Sequence, residues 1–486
     1  MKRLIHKILP IFAISIFFFS SFSNVLADLQ PAIVEDYDPL VDINVTVEVF
    51  SIRSLEKHDK QLNRKEIIDH FSDPDFYLKV TINDETFTSE TWQNTKYHYN
   101  LDWTATSDVP DNEEYVEITI QLWDAKDGLS QSDRLCDISP DTGISADSYD
   151  VELIYSIRDG HWTGDDHIGD SSGYGRLNGC DDGTIYTRNR DCEIWFSIHQ
   201  NDYDSDTIPY WIETNEYGTD PTVSDIGTDV DNDDIPIEWE WKWDYDPQTY
   251  NAHKSIDTEG DSLTNYEEFL TSEWDSDPFR KDIYVELDQM AESPEGVPCR
   301  LPEGSKELIY TAFNRQNAVL HIDSGNMGGG EIIPFQEEVG RDELQEIYYQ
   351  YFYHGQSSTW RRSVFHYGVV VYGHVSYAGA VFGSNRFYIT TRGHENKAEK
   401  PFMDRDVVFA SAYMHELGHT FDFGPIPGHN RIPGLAGLID TILSLPYKSC
   451  MNYNYMYWSV DYSDGTHGLN DYNDWERMDY RDFEGH

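Results

Sequence analysis

Cysteine is scarce in this chain, with five residues in 486. A small disulfide scaffold carries far more for its length, so the core must come from apolar packing. Positive charge is scarce relative to negative: 35 Lys and Arg stand against 89 Asp and Glu, a net charge of −54. A polyanion of that size is repelled by nucleic acid backbones and by anionic membrane surfaces, so neither is an expected partner. It attracts divalent cations. Long apolar runs are missing after the first few dozen residues, so no later segment reaches the ~20 residues a membrane span needs. What remains is 39% hydrophobic and 14% aromatic, too apolar for a disordered acidic chain. The length allows roughly two to four domains.

The start of the chain reads as an address. Lys2, Arg3 and Lys7 make a basic opening, Ile8 to Phe19 is almost wholly apolar, and Val25-Leu26-Ala27 offers a cleavage site before Asp28. Residues 1–27 are therefore expected to be a secretory signal, with an uncleaved anchor as the alternative. Export makes the location extracellular or cell-surface associated, and it permits disulfides. Cys180–Cys192 is the preferred bridge, and the odd cysteine count leaves at least one thiol over. Asn44-Val45-Thr46 is a glycosylation sequon.

Residues 28–200 read as antiparallel β-structure. Asn44–Phe50, Phe76–Ile82, Val116–Trp123 and Glu193–Ile198 alternate or run apolar, and Gly, Asp, Asn and Pro clusters separate them. That pattern predicts a β-sandwich. Ser72-Asp-Pro-Asp-Phe-Tyr-Leu-Lys-Val80 resembles the first calcium loop and following strand of the calcium- and lipid-binding sandwich domains first described in protein kinase C. Gln121–Asp127, followed by Asp133, resembles their third loop. Lys126 stands where that family places a calcium-binding Asp. Two readings stay open: a calcium- or lipid-binding module, and a sandwich with acidic loop tips and no ligand.

Residues 201–278 contain a threefold repeat. Asp202-x-Asp204-x-Asp206 is followed by Glu213. Asp229-x-Asp231-x-Asp233 is followed by Glu240, and Asp257-x-Glu259-x-Asp261 by Glu268. Loop starts are 27 and 28 residues apart. Carboxylates at positions 1, 3 and 5, an apolar residue near 7 and a Glu at 12 match the ligand spacing of a calcium loop. Alternate side chains of a tight loop point inward, and the distant Glu closes the shell. The repeats resemble thrombospondin-type-3 and dockerin-like calcium modules, which implies three Ca²⁺ sites. Position 6, usually Gly for the sharp turn, is Thr207, Asp234 and Ser262 here. An acidic solvated linker is the competing reading.

Residues 279–486 mix strand signals (Asp282–Asp288, Val319–Asp323, Tyr367–Tyr372) with helix signals (Lys306–Gln316, Asp406–Phe423). That order predicts an α/β domain with a mixed sheet. Its sharpest feature is His415-Glu416-Leu417-Gly418-His419, late in an apolar helical run. Histidines at i and i+4 share one helical face and can hold one metal, with Glu416 beside it as general base. Ser449-Cys-Met-Asn-Tyr453 follows. Together these motifs resemble the metzincin zinc endopeptidases. The resemblance implies a Met-turn at Met451 beneath the metal and Tyr453 approaching the oxyanion. The family continues His-x-x-Gly-x-x-His. Here that third position is Pro425, and the next histidine is His429. His429 is the expected third Zn²⁺ ligand, with Asp422 as rival.

Weaker features carry ordinary readings. Gly325–Gly330 is expected to be a turn, His366 and His374 structural residues, and the acids of 461–474 a solvated tail or a calcium site. Gly379–Phe387 is expected to be a strand, either structural or an edge that pairs with an extended substrate. The expectation is a multidomain, secreted zinc metalloendopeptidase acting on protein or peptide substrates, with a calcium-stabilised accessory region. The alternative is a non-catalytic, calcium-dependent adhesion protein with a vestigial protease domain.

Overall fold

The computed structural model describes residues 36–56, 73–126, 132–142, 149–185, 190–429 and 433–480. The expected signal segment, Ser72 and Asp127 lie outside them. No helix among the described residues is long and apolar enough to cross a membrane.

The N-terminal part is a β-sandwich. Its strands are β1 (Asn44–Ser54), β2 (Phe76–Ile82), β3 (Glu85–Thr88), β4 (Tyr97–Asp108), β5 (Tyr115–Asp124), β6 (Arg134–Leu135), β7 (Val151–Ser156), β8 (Trp162–Gly164), β9 (Arg176–Asn178) and β10 (Cys192–Gln200). One sheet runs β4-β1-β10-β9 and the other β3-β2-β5-β7-β8, with β6 on β5. All pairings between these strands are antiparallel. Val45, Val47 and Val49 from the first sheet and Leu78, Val80, Ile118 and Ile120 from the second share one core. A bulge between Val49 and Ser51 shifts the register, so Ile52 rather than Ser51 resumes the inward face. Arg53 follows it, buried on the far side.

The expected Cys180–Cys192 bridge is not formed. All five cysteines are free and buried. Cys180 Sγ donates to Asp191 Oδ2 at 3.6 Å, and the thiol next to Cys192 is Cys136. Spacing along the chain could not show that the two cysteines face different neighbours.

The repeat segment carries short helices after each loop: α1 (Tyr210–Ile212), α2 (Ile237–Lys242) and α3 (Asn265–Leu270). Each repeat is thus a loop with an exiting helix. Ile208, Ile212 and Ile237 form one small core, and Ile235, Trp239 and Trp243 another.

The C-terminal part is an α/β layer structure. It contains β11 (Lys281–Met290), α4 (Glu303–Asn314), β12 (Ala318–Asp323), β13 (Ile332–Ile333), α5 (Arg341–Ile347), β14 (Phe365–Val371), β15 (Gly379–Val381), β16 (Arg386–Thr390), α6 (Thr391–Ala398), α7 (Arg405–Gly418) and α8 (Leu435–Leu443). The sheet order is β12-β11-β14-β16-β15, with β13 on β11. Only β15 is antiparallel, so the sheet is mixed as expected. Strand β14 is buried on both faces, as a parallel strand between layers must be. Helices α4 and α7 cover one face through Ile309, Phe313, Ala410 and Met414. An aromatic cluster with Tyr348, Phe352 and Tyr367 covers the other. The Gly325–Gly330 turn directs the N–H groups of Gly325, Met327 and Gly329 onto the Asp323 carboxylate, so it holds its own anion.

Candidate metal centres

Helix α7 starts on the Asp404 side chain, which accepts from the N–H groups of Asp406 and Val407. Its apolar run from Val407 to Leu417 is buried on all sides, which fixes His415 and Glu416 in the interior. The helix ends at Gly418 and tightens into a turn over His419–Phe421. Asp422 then takes a left-handed conformation at φ 44° and faces solvent. The helix expected to reach Phe423 therefore stops early, and the chain reverses direction.

That reversal brings back His429. Its Nε2 lies 3.3 Å from His415 Nε2 and 3.1 Å from His419 Nε2. Asp422 is not in this group. Gly428, at φ 69°, has no room for a side chain: a Cβ would overlap Asn452 Oδ1 and meet Ser444 Oγ at 2.7 Å. His415 Nδ1 donates to the Cys450 carbonyl at 2.9 Å, which leaves its Nε2 as a lone pair facing the other two. Burial lowers the pKa of His415 to about 3 and of His419 to about 4, and it lowers that of His429. All three are therefore neutral, the ligating form. Nitrogens about 2.0–2.1 Å from a tetrahedral ion stand about 3.3–3.4 Å apart, so the separations of His429 Nε2 from the other two, 3.1 and 3.3 Å, fit Zn²⁺.

Glu416 is 5% exposed, and burial raises its pKa to about 8. The edge strand β15 passes directly over it. A Cβ on Gly379 would meet Glu416 Oε1 at 2.5 Å. Met451 is fully buried against Gly418. The Tyr453 ring stacks on His429 at 4.5 Å and on His415 at 5.5 Å. The five residues singled out in the two motifs and His429 thus occupy one place.

The three acidic loops repeat one geometry. Asp202, Asp229 and Asp257 accept from the N–H at position 4, namely Ser205, Asn232 and Gly260. Position 6 is left-handed in each: Thr207 at φ 78°, Asp234 at 77° and Ser262 at 76°. The turn that usually calls for Gly is made without it, at about 1–2 kcal/mol per residue. At position 5, one oxygen of Asp206, Asp233 and Asp261 accepts from the loop N–H of Ile208, Ile235 and Leu263. The other accepts from a distant N–H, that of Asp225, Asn251 or Asp282. The position-3 acids Asp204, Asp231 and Glu259 have both oxygens buried with no hydrogen-bond partner, as do Glu240 and Glu268 at position 12. Burial raises the pKa of Glu213 to about 8 and of Glu259 to about 10. Buried carboxylate oxygens without donors fit a divalent cation. Sequence spacing missed Asp225, which joins Asp206 and Glu213, and His253, which joins Asp233 and Glu240. Both come from beyond the loop that they complete.

The sandwich loops differ. Lys126 and Asp124 form a buried ion pair, and Asp124 also accepts from the Asp75 N–H. Asp133 accepts from Tyr77 and from the Lys126 N–H. These acids are already satisfied. In the tail, Asp474 accepts from Tyr447 at 2.8 Å, and Asp471 from Ser463. His374 accepts from its own turn, and His366 packs on Phe421.

No family model and no curated protein matches the chain. Among solved structures it is similar to human GIVD cytosolic phospholipase A2, with 13% identity over 34% of this chain and a TM-score of 0.18. The match spans 18% of that chain, so less than a fifth of its length. It is also similar to Extended-Synaptotagmin 2, with 10% identity, coverage of 34% of this chain and 28% of that one, and a TM-score of 0.19. A single C2 domain is covered to 97%, against 32% of this chain, at 9% identity and a TM-score of 0.18.

Proposed function

We propose that the chain is an exported, zinc-dependent endopeptidase whose accessory region is stabilised by calcium. The observation that carries this is the convergence of three neutral imidazoles beside a buried, otherwise uncommitted Glu416. His415, His419 and His429 would hold the ion. When bound, Zn²⁺ supplies a positive charge that polarises a carbonyl and acidifies water to near neutral pKa. Glu416 accepts the proton of the attacking water and returns it to the leaving amine. Burial raises the basicity of the Glu416 carboxylate, which favours taking that proton. Tyr453, stacked on the ligands, donates to the developing oxyanion. Edge strand β15 pairs with an extended substrate backbone and lays it over Glu416.

The test is metal content and casein hydrolysis on one preparation of residues 28–486. Wild type should hold zinc and cleave. Glu416→Ala should keep the ion and lose activity by about 10²–10⁴-fold. His429→Ala should lose the ion. A wild type that binds calcium, holds no zinc and cleaves nothing would transfer the assignment to a calcium-dependent adhesion protein.

A further inference from the structure

The middle repeat departs from its neighbours in one donor. In the first repeat the residue that joins Asp206 and Glu213 is the carboxylate Asp225. In the second, the residue that joins Asp233 and Glu240 is His253. Its Nε2 stands 3.3 Å from Asp233 Oδ2 and 3.5 Å from Glu240 Oε1, and all three side chains are fully buried. Neither contact is aligned as a hydrogen bond. His253 Nε2, both oxygens of Glu240 and both of Asp231 have no hydrogen-bond partner. Ligand atoms about 2.0–2.2 Å from one ion at tetrahedral angles stand about 3.3–3.6 Å apart. The spacings are therefore those of a coordination shell.

The ring is held for this role. Trp239 and Tyr245 meet it edge-on at 5.7 and 4.9 Å. Its Nδ1 lies 3.1 Å from the Asn265 side-chain amide, which also meets the Tyr245 hydroxyl at 2.8 Å. The Asn265 NH2 donates to the Tyr245 hydroxyl and lies against His253 Nδ1, which fixes the ring with Nε2 aimed at the carboxylates of Asp233 and Glu240.

Calcium takes oxygen donors, whereas imidazole suits zinc and its transition-metal neighbours. We propose that the middle loop binds a zinc-class divalent cation through Asp233, Glu240 and His253, while the first and third loops, with oxygen donors only, bind calcium. This rests on reading the repeats as cation loops.

The experiment is a metal count on the full chain after equilibration with excess calcium and two equivalents of zinc per chain, beside His253→Asp. The substitution should remove one zinc per chain, add one calcium, and weaken zinc binding at that site by at least about 10–100-fold. The difference between the two proteins does not depend on what the His415 centre holds. An unchanged zinc count with three calcium ions bound would make the middle loop an ordinary calcium site and overturn the proposal. Calcium absent from both proteins would overturn the cation-loop reading itself. Anomalous scattering at the zinc edge on wild-type crystals repeats the test without a variant: a peak beside His253 supports the proposal, and its absence from a zinc-equilibrated crystal overturns it.

Discussion

Single residues decide whether the histidine centre closes. Gly424 and Gly428 share the left-handed backbone, at φ 70° and 69°. They differ in surroundings: a Cβ on Gly424 meets nothing within 4 Å, whereas one on Gly428 enters Asn452 and Ser444. Gly424→Ala should cost about 1 kcal/mol of stability and leave metal affinity alone. Gly428→Ala should push His429 away and weaken zinc binding by about 10–100-fold, measurable by competition with a chromophoric chelator. Asp191 makes a second case. Burial, with Asp137 close by, raises its pKa to about 8. A raised carboxyl pKa gives stability that is full below the ordinary carboxylate value and is lost as pH rises through about 8. Asp191→Asn, which stays neutral, should match wild type near pH ~3.5 and exceed it at pH ~9 by up to about 5 kcal/mol. Denaturation curves at the two pH values check the sign.

Among the elements, the acidic loops hold a concentration of buried carboxylate oxygens without hydrogen-bond partners. Their unpartnered oxygens make a structure that is self-repelling without cations. Third-loop Asp261 accepts from the Asp282 N–H, and Asp282 bonds Arg280 and His321. The loop is thus tied to β11, an inner strand of the C-terminal sheet. Removing calcium with a calcium-selective chelator should lower the melting temperature by roughly 10 °C relative to saturating calcium. An unchanged melting temperature across millimolar calcium would refute the stabilising role. In contrast, α8 buries none of its side chains, although Leu435, Leu438, Ile439 and Ile442 lie on it.

At the scale of the whole molecule, the sandwich and the α/β part are joined by buried charge. Arg53 pairs with Glu193 at 3.1 Å and with Glu307 of α4 at 2.8 Å. Arg176 meets the other Glu193 oxygen at 2.7 Å and the Asn314 carbonyl at 3.1 Å. Arg315 donates to the Leu55 and Glu56 carbonyls. Removing one member of such a network strands the others, at about 3–5 kcal/mol. Arg53→Ala should therefore destabilise by that amount. Calorimetry should show the sandwich transition separating from that of the α/β part.

Read alone, the sequence was enough for the strands whose side chains alternate, the spacing of three acidic loops, and the helix that carries His415 and Glu416 and is capped by His419. Each follows from spacing along the chain, and period two, period 3.6 and positions 1-3-5-12 are local properties. It also singled out Met451, Tyr453 and His429, which the fold brings to the same place as His415 and His419. The tertiary structure decided the rest. It brought His429, and not Asp422, beside His415 and His419, because the chain reverses at a left-handed Asp422 and Gly428 sits against Asn452. It separated Cys180 from Cys192, because one thiol faces Asp191 and the other Cys136. It supplied Asp225 and His253 to loops that begin some twenty residues earlier, and it set Gly379 over Glu416. Those facts depend on which distant backbone lies against which side chain, and no spacing within one segment encodes that.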